Sequence, residues 1–137
     1  MEFKKWIQPG LSSERTFLVE EQYTAAHLGS GSSRVLATPS MILFMERTAH
    51  SLLAQHLPDG YSSVGVLVDV RHLAPTPINA GVRVTCQILE VDGMRVTFAV
   101  QAWDMQEQVG EGKHQRVVIE KERFLRRVGK KAANLSA

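Results

Sequence analysis

Thr38-Pro39-Ser40-Met41-Ile42-Leu43-Phe44-Met45-Glu46-Arg47-Thr48-Ala49-His50-Ser51-Leu52-Leu53-Ala54-Gln55-His56-Leu57, closed by Pro58-Asp59-Gly60, is the stretch on which the fold turns. Thr38 is a good helix N-cap. Pro39 falls at the first helical position, where its missing N–H costs nothing. Apolar residues recur at Met41, Ile42, Met45, Ala49, Leu52 and Leu53, the spacing of one helical face. Pro58-Asp59-Gly60 stops the pattern. The reading is a helix over 39–57, well above the usual roughly 11–12 residues. It is apolar enough to lie against a sheet.

Outward from this helix the chain reads as strands. Residues 62–73 are rich in valine, at Val64, Val66, Val68 and Val70. Residues 82–91 alternate through Val82, Val84, Cys86 and Ile88, with one slip to Val91. Asp92-Gly93 is a hairpin signal, and 94–103 alternate through Val96, Phe98 and Val100. A polar turn over 106–112 precedes a last strand over 113–124. Before the helix, 15–20 read as a first strand and 1–13 as a surface lead-in. The Gly- and Ser-rich stretch 24–34 reads as a loop, with room for one turn of helix at Ala25-Ala26. The basic tail 125–137 is expected to fray. Strand, loop, long helix, then four strands is an α+β layout: one helix on a five-stranded antiparallel sheet, in one domain over 1–137.

Composition narrows the class. The chain has 137 residues, 44% hydrophobic and 22% charged, with a net charge of +2. That is ordinary globular usage, and too little positive charge to argue for nucleic acid. No apolar run reaches the ~18 residues of a membrane span. Met1-Glu2-Phe3-Lys4-Lys5-Trp6 has no apolar stretch behind its lysines, so no secretory signal is read there. One cysteine, Cys86, excludes an intrachain disulfide and fits a reducing, cytoplasmic setting. On the apolar parity of its strand, it reads as a buried, inert thiol.

Glu46 is the first residue that could carry chemistry. It falls on the apolar stripe of the long helix, where a carboxylate costs free energy unless it is paired. It is either an edge residue, solvated or paired with His50, or a nucleophile or general base. His72 continues the parity of the valines in its strand, and is a core-edge histidine or a catalytic imidazole. Thr38 is an ordinary cap, or part of a helix start whose free N–H groups suit a developing oxyanion. Gly65, inside a strand, marks a bulge or a close approach. Glu46, His50 and His72 as a metal set is the weakest reading, and no metal or cofactor is expected. The cluster Lys121, Arg123, Arg126, Arg127, Lys130 and Lys131 is a solvated face, or a receiver for the phosphates of a nucleotide-bearing substrate.

Val35-Leu36-Ala37-Thr38-Pro39 through Glu46, then Gly65-Val66-Leu67-Val68-Asp69-Val70-Arg71-His72-Leu73-Ala74-Pro75-Thr76-Pro77, resembles the fluoroacetyl-CoA thioesterase type of hotdog protein. Gly110-Glu111-Gly112-Lys113-His114-Gln115-Arg116-Val117-Val118-Ile119 is similar too. The resemblance spans about residues 10–127. It implies a hotdog fold that dimerises into a continuous sheet and hydrolyses a short acyl-CoA. It places the family's threonine, glutamate and histidine on Thr38, Glu46 and His72, and a substrate-contacting glycine on Gly65. Ser32 stands where the fluoroacetate-specific member has an aromatic lid residue, so fluoroacyl selectivity is not expected. Ser32 and Arg71 complete the expected substrate contacts.

Thr38 and Glu46 are separated by eight residues, about 12 Å at ~1.5 Å per residue, and differ by about 80° in azimuth. One carbonyl cannot easily meet both in one chain, so a composite site at a two-fold interface is expected. The rival readings are a non-catalytic hotdog dimer that binds an acyl-CoA or a small apolar ligand, and a hotdog hydratase using Asp69 with His72.

Overall fold

A computed structural model describes residues 3–135; Met1, Glu2, Ser136 and Ala137, at the ends of the expected domain and tail, lie outside the described residues. The long helix, α2, runs Thr38–His56, after a single turn, α1, at Ala25–Leu28. Five strands surround it: β1 at Ser12–Leu18, β2 at Tyr61–His72, β3 at Gly81–Asp92, β4 at Arg95–Trp103 and β5 at Gln108–Glu120. They form one antiparallel sheet in the order β1-β3-β4-β5-β2. The helix on antiparallel sheet expected from the sequence is present.

The buried side of α2 is Met41, Phe44, Met45, Thr48, Ala49, Leu52 and Leu53, recurring every three or four residues. It meets Val82, Val84, Cys86 and Ile88 of β3 and Val96, Phe98, Val100 and Ala102 of β4, all buried. Alternation in the strands and helical spacing in α2 thus supply the two faces of one core. Phe44 stacks on Phe17 of β1 with centroids 4.3 Å apart and meets Tyr23 edge-on at 4.9 Å. Cys86 is buried, and burial pushes its thiol up to about 11, as an inert core cysteine requires.

Several expectations are corrected. The residue that caps α2 is Ala37, in extended conformation; Thr38 is the first helical residue, so its hydroxyl is released from capping. The described part of the expected surface lead-in, from residue 3 on, is not all surface: Phe3 and Ile7 are buried, and Phe3 packs edge-on against Tyr61 at 5.5 Å. Four residues apart, they share one side of a short turn and close the bottom of the core. The hairpin turn is Gly93-Met94, with φ +60 at Gly93, a conformation open to glycine at the first central position. β5 begins at Gln108, inside the stretch read as a turn.

Most of the tail has regular structure among the described residues. Lys121–Leu135 form helix α3, anchored where Lys121 N–H donates to the Gly60 carbonyl at 2.9 Å. Phe124, Leu125, Val128 and Leu135 follow one side at helical spacing, with Arg123, Arg126, Arg127, Lys130 and Lys131 round the other.

β2 is one edge of the sheet and β1 the other. A bulge at Val66, between Gly65 and Leu67, breaks the alternation read from the sequence. Ser63 and Gly65 face α2, the bulge takes up one residue, and Val68, Val70 and His72 face α2 again. Val64 does not share their face. Along the edge, Val66, Leu67 and Val68 are each more than 40% exposed.

Candidate active site

Two clusters stand on the α2 side of the sheet. The first lies at the start of α2. Thr38 Oγ1 lies 2.8 Å from His72 Nδ1. Leu36 N–H donates to the Thr76 carbonyl at 2.8 Å and Ala37 N–H to the Tyr23 carbonyl at 2.9 Å. These bonds clamp the chain just before the helix and hold Thr38 opposite the end of β2. Burial holds the His72 imidazole below its ordinary value, opposed by the Ala74 backbone. His72 Nε2 is buried with no hydrogen-bond partner among the described residues. A buried polar atom without a partner is the exception in folded chains and points to something that binds there.

Thr38 and His72 line a cavity of about 360 Å³ together with Ala25, Ser30, Val35 and Pro75. No phenylalanine, tyrosine or tryptophan is among its lining residues. The serine at this wall is Ser30, not Ser32; Ser32 is exposed outside it. The Gly-Ser stretch is tied at both ends: Ala25 N–H donates to the Val35 carbonyl and Ala26 N–H to the Ser33 carbonyl, while Arg34 pairs with Glu21 at 2.8 Å.

The second cluster surrounds Glu46. Its ion-pair partner is Arg116, with Glu46 Oε2 3.9 Å from Arg116 Nη1. Arg116 is buried and held from several sides. Its Nε donates to Ser63 Oγ at 2.8 Å and its Nη2 to the Ser63 carbonyl at 3.1 Å. Its Nη1 lies 3.2 Å from His114 Nε2, and His114 Nδ1 lies 2.9 Å from the Leu67 carbonyl beside the bulge. The carbonyl requires a proton on Nδ1, so neutral His114 accepts from Arg116 through Nε2. Burial holds the His114 imidazole below its ordinary value. Gly65 faces this cluster. A Cβ there would sit 2.7 Å from Glu46 Oε2 and 3.3 Å from His114 Cε1, closer to the carboxylate than real side chains come.

Thr38 and His72 are therefore brought together, and Glu46 and Gly65 are brought together, but the two pairs hold different partners. Arg71 lies on the other side of the sheet, opposite Glu111, and does not face the cavity. Among the described residues no group of three acidic, histidine or cysteine side chains comes together as metal ligands, and no helix is long and apolar enough to cross a membrane. His114, Arg116 and Ser63 were not singled out from the sequence. The signal was there: His114 and Arg116 share the inward parity of buried Val118 in β5, and a histidine and an arginine there must find partners.

The profile of the fluoroacetyl-CoA-specific thioesterase family matches residues 19–122. This chain belongs to that family. The match takes in Thr38, Glu46, Gly65, His72, His114 and Arg116 and ends within the first turn of α3. A fluoroacetyl-CoA thioesterase of Streptantibioticus cattleyicolor is 34% identical over 134 residues, covering 93% of this chain and 96% of that protein. The solved fluoroacetyl-CoA thioesterase FlK superposes with a TM-score of 0.85 at 31% identity, over 91% of this chain and 97% of that one. A variant of FlK has been solved with fluoroacetate and CoA, and another with acetyl-CoA. A hot-dog-like protein from Thermanaerovibrio acidaminovorans superposes with a TM-score of 0.88 at 27% identity, over 96% and 97% of the two chains. The fold is a hotdog.

Proposed function

We propose that this chain is an acyl-CoA thioesterase working as a homodimer, with Thr38, Glu46 and His72 as its catalytic residues. The observation that carries the reading is the Thr38–His72 pair, its unpartnered Nε2 set in the wall of a cavity. An imidazole below its ordinary value is neutral at neutral pH and free to accept a proton. Glu46, fixed through Arg116, directs water onto the thioester carbonyl, or attacks it to form a mixed anhydride that a water then hydrolyses to the free acid, restoring the carboxylate. The carbonyl carbon gains an oxygen, the C–S bond breaks, and the sulfur leaves as the CoA thiol with the proton relayed by His72. Thr38 and free N–H groups at the start of α2 stabilise the oxyanion; loss of one such donor typically costs about 3 kcal/mol of barrier.

The homodimer is supported by β2. A twelve-residue edge strand with Val66, Leu67 and Val68 exposed presents both apolar side chains and free backbone groups to a second copy. Antiparallel pairing of two such edges about a two-fold carries one end of β2 to the other end of its partner. That supplies the convergence a single chain lacks, since Thr38 and Glu46 are about 12 Å apart along α2. The cavity wall without Phe, Tyr or Trp supports acyl groups beyond fluoroacetyl, and the single buried thiol supports a cytoplasmic location.

The test is Glu46→Gln against acetyl-, propionyl- and benzoyl-CoA with a thiol-reporting dye. Wild-type turnover of at least one thioester and a fall of about a hundredfold or more in the variant are expected. Unchanged hydrolysis would remove Glu46 from the reaction. Stabilisation by acyl-CoA without thiol release would favour a binding module instead.

A further inference from the structure

Away from the two clusters, α3 and the sheet enclose a groove of about 430 Å³. Val117 and Ile119 on the outer side of β5 and Met94 at the hairpin form its floor. Tyr61 stands at one wall, and Arg123, Phe124 and Arg127 of α3 at the other. Arg123 and Arg127 are four residues apart, so they present their guanidinium groups on one side of the helix. Neither forms an ion pair among the described residues, although Glu120 also borders the groove. Two aromatic rings and two unpaired arginines around one apolar floor suit a ligand with a flat ring and more than one phosphate.

We infer that this groove holds the nucleotide end of the thioester substrate: the purine of the 3′-phosphorylated ADP moiety lies on Phe124 over the apolar floor, and its phosphates lie on Arg123 and Arg127. The inference rests on the acyl-CoA reading given above. The fold places the groove suitably. The Lys121–Gly60 hydrogen bond starts α3 at the Tyr61 end of β2. Across a two-fold at the β2 edge, that end runs beside the partner's His72 end and the cavity there. The groove thus borders the composite site from outside, where the substrate's distal part must emerge. Arg123 and Arg127 lie just past residue 122, where the family match ends.

The test compares the wild-type full chain with the double variant Arg123→Ala/Arg127→Ala on two substrates carrying the same acyl group, one on CoA and one on pantetheine. The expected result is a rise of about tenfold in KM for the acyl-CoA, with kcat for it and KM for the acyl-pantetheine both unchanged. An unchanged KM for the acyl-CoA, or an equal rise for both substrates, overturns the inference. Adenosine 3′,5′-bisphosphate is titrated in parallel by calorimetry. Binding to the wild type that is lost in the double variant supports the groove, and no binding to the wild type overturns it. A chain that hydrolyses neither thioester overturns the thioesterase reading, and the nucleotide titration then decides the groove alone.

Discussion

His114 shows how a single side chain can organise a site without facing the cavity. It hands the backbone of the β2 bulge to Arg116, and Arg116 to Glu46. It does this only as the neutral ring, because a protonated Nε2 cannot accept from a guanidinium. Burial holds His114, His72 and His50 below the ordinary 6.5, with nearby Arg116 adding to the effect at His114 and His50. The folded chain therefore binds fewer protons at these rings than the unfolded chain. Stability from them is complete above 6.5 and is lost as pH falls below it. Urea unfolding at pH 7.5 and 5.5 is expected to give the lower free energy at 5.5. Equal or greater stability at 5.5 would contradict this account of the three rings.

At the scale of elements, the packing of β2 on α2 depends on the absence of a side chain at Gly65. Gly65→Ala would drive a methyl into the Glu46 carboxylate, which must then move. The expected outcome is a cooperative, folded protein whose kcat falls at least tenfold through displacement of Glu46. An unchanged kcat would separate Gly65 from the reaction. The long helix was legible because its apolar repeat and its Pro-Asp-Gly stop agree. The central strands were legible because they alternate. The register of β2 was not, because a bulge leaves no mark in a run of valines: Val64, Val66, Val68 and Val70 look equivalent until pairing with β5 separates them. α3 was missed for a different reason. A basic tail rich in Lys and Arg reads as solvated chain unless Phe124, Leu125 and Val128 are counted at helical spacing.

For the whole molecule, the proposed composite site, with Thr38–His72 apart from Glu46 in one chain, predicts that activity needs pairs of chains. Glu46→Gln and His72→Ala proteins should each be inactive alone. Mixed, unfolded and refolded together, they form hybrids with one site carrying both substitutions and one carrying neither. Recovered turnover of about a quarter of wild type is then expected, since about half the dimers are hybrids with one intact site of two. No recovery would place all three residues in one chain's site. Of the proposed site, Thr38, Glu46 and His72 were legible in the sequence: Glu46 and His72 as polar residues on apolar faces, Thr38 as the start of the long helix. It did not disclose Arg116 and His114, whose partners come from distant strands. Nor did it place Ser30 at the cavity wall, since the path of a Gly-Ser loop depends on backbone bonds that side chains do not announce.

That loop has a consequence for how such a protein can change. Ser30 borders the cavity, yet every residue from Gly29 to Arg34 is exposed and none belongs to the core. Its closure rests on main-chain bonds at Ala25, Ala26, Ser33 and Val35, which any non-proline residue can make. The gatekeeping text and the folding text are thus written in separate passages of the chain. A lineage can rewrite what is admitted, residue by residue, without renegotiating the architecture that does the work.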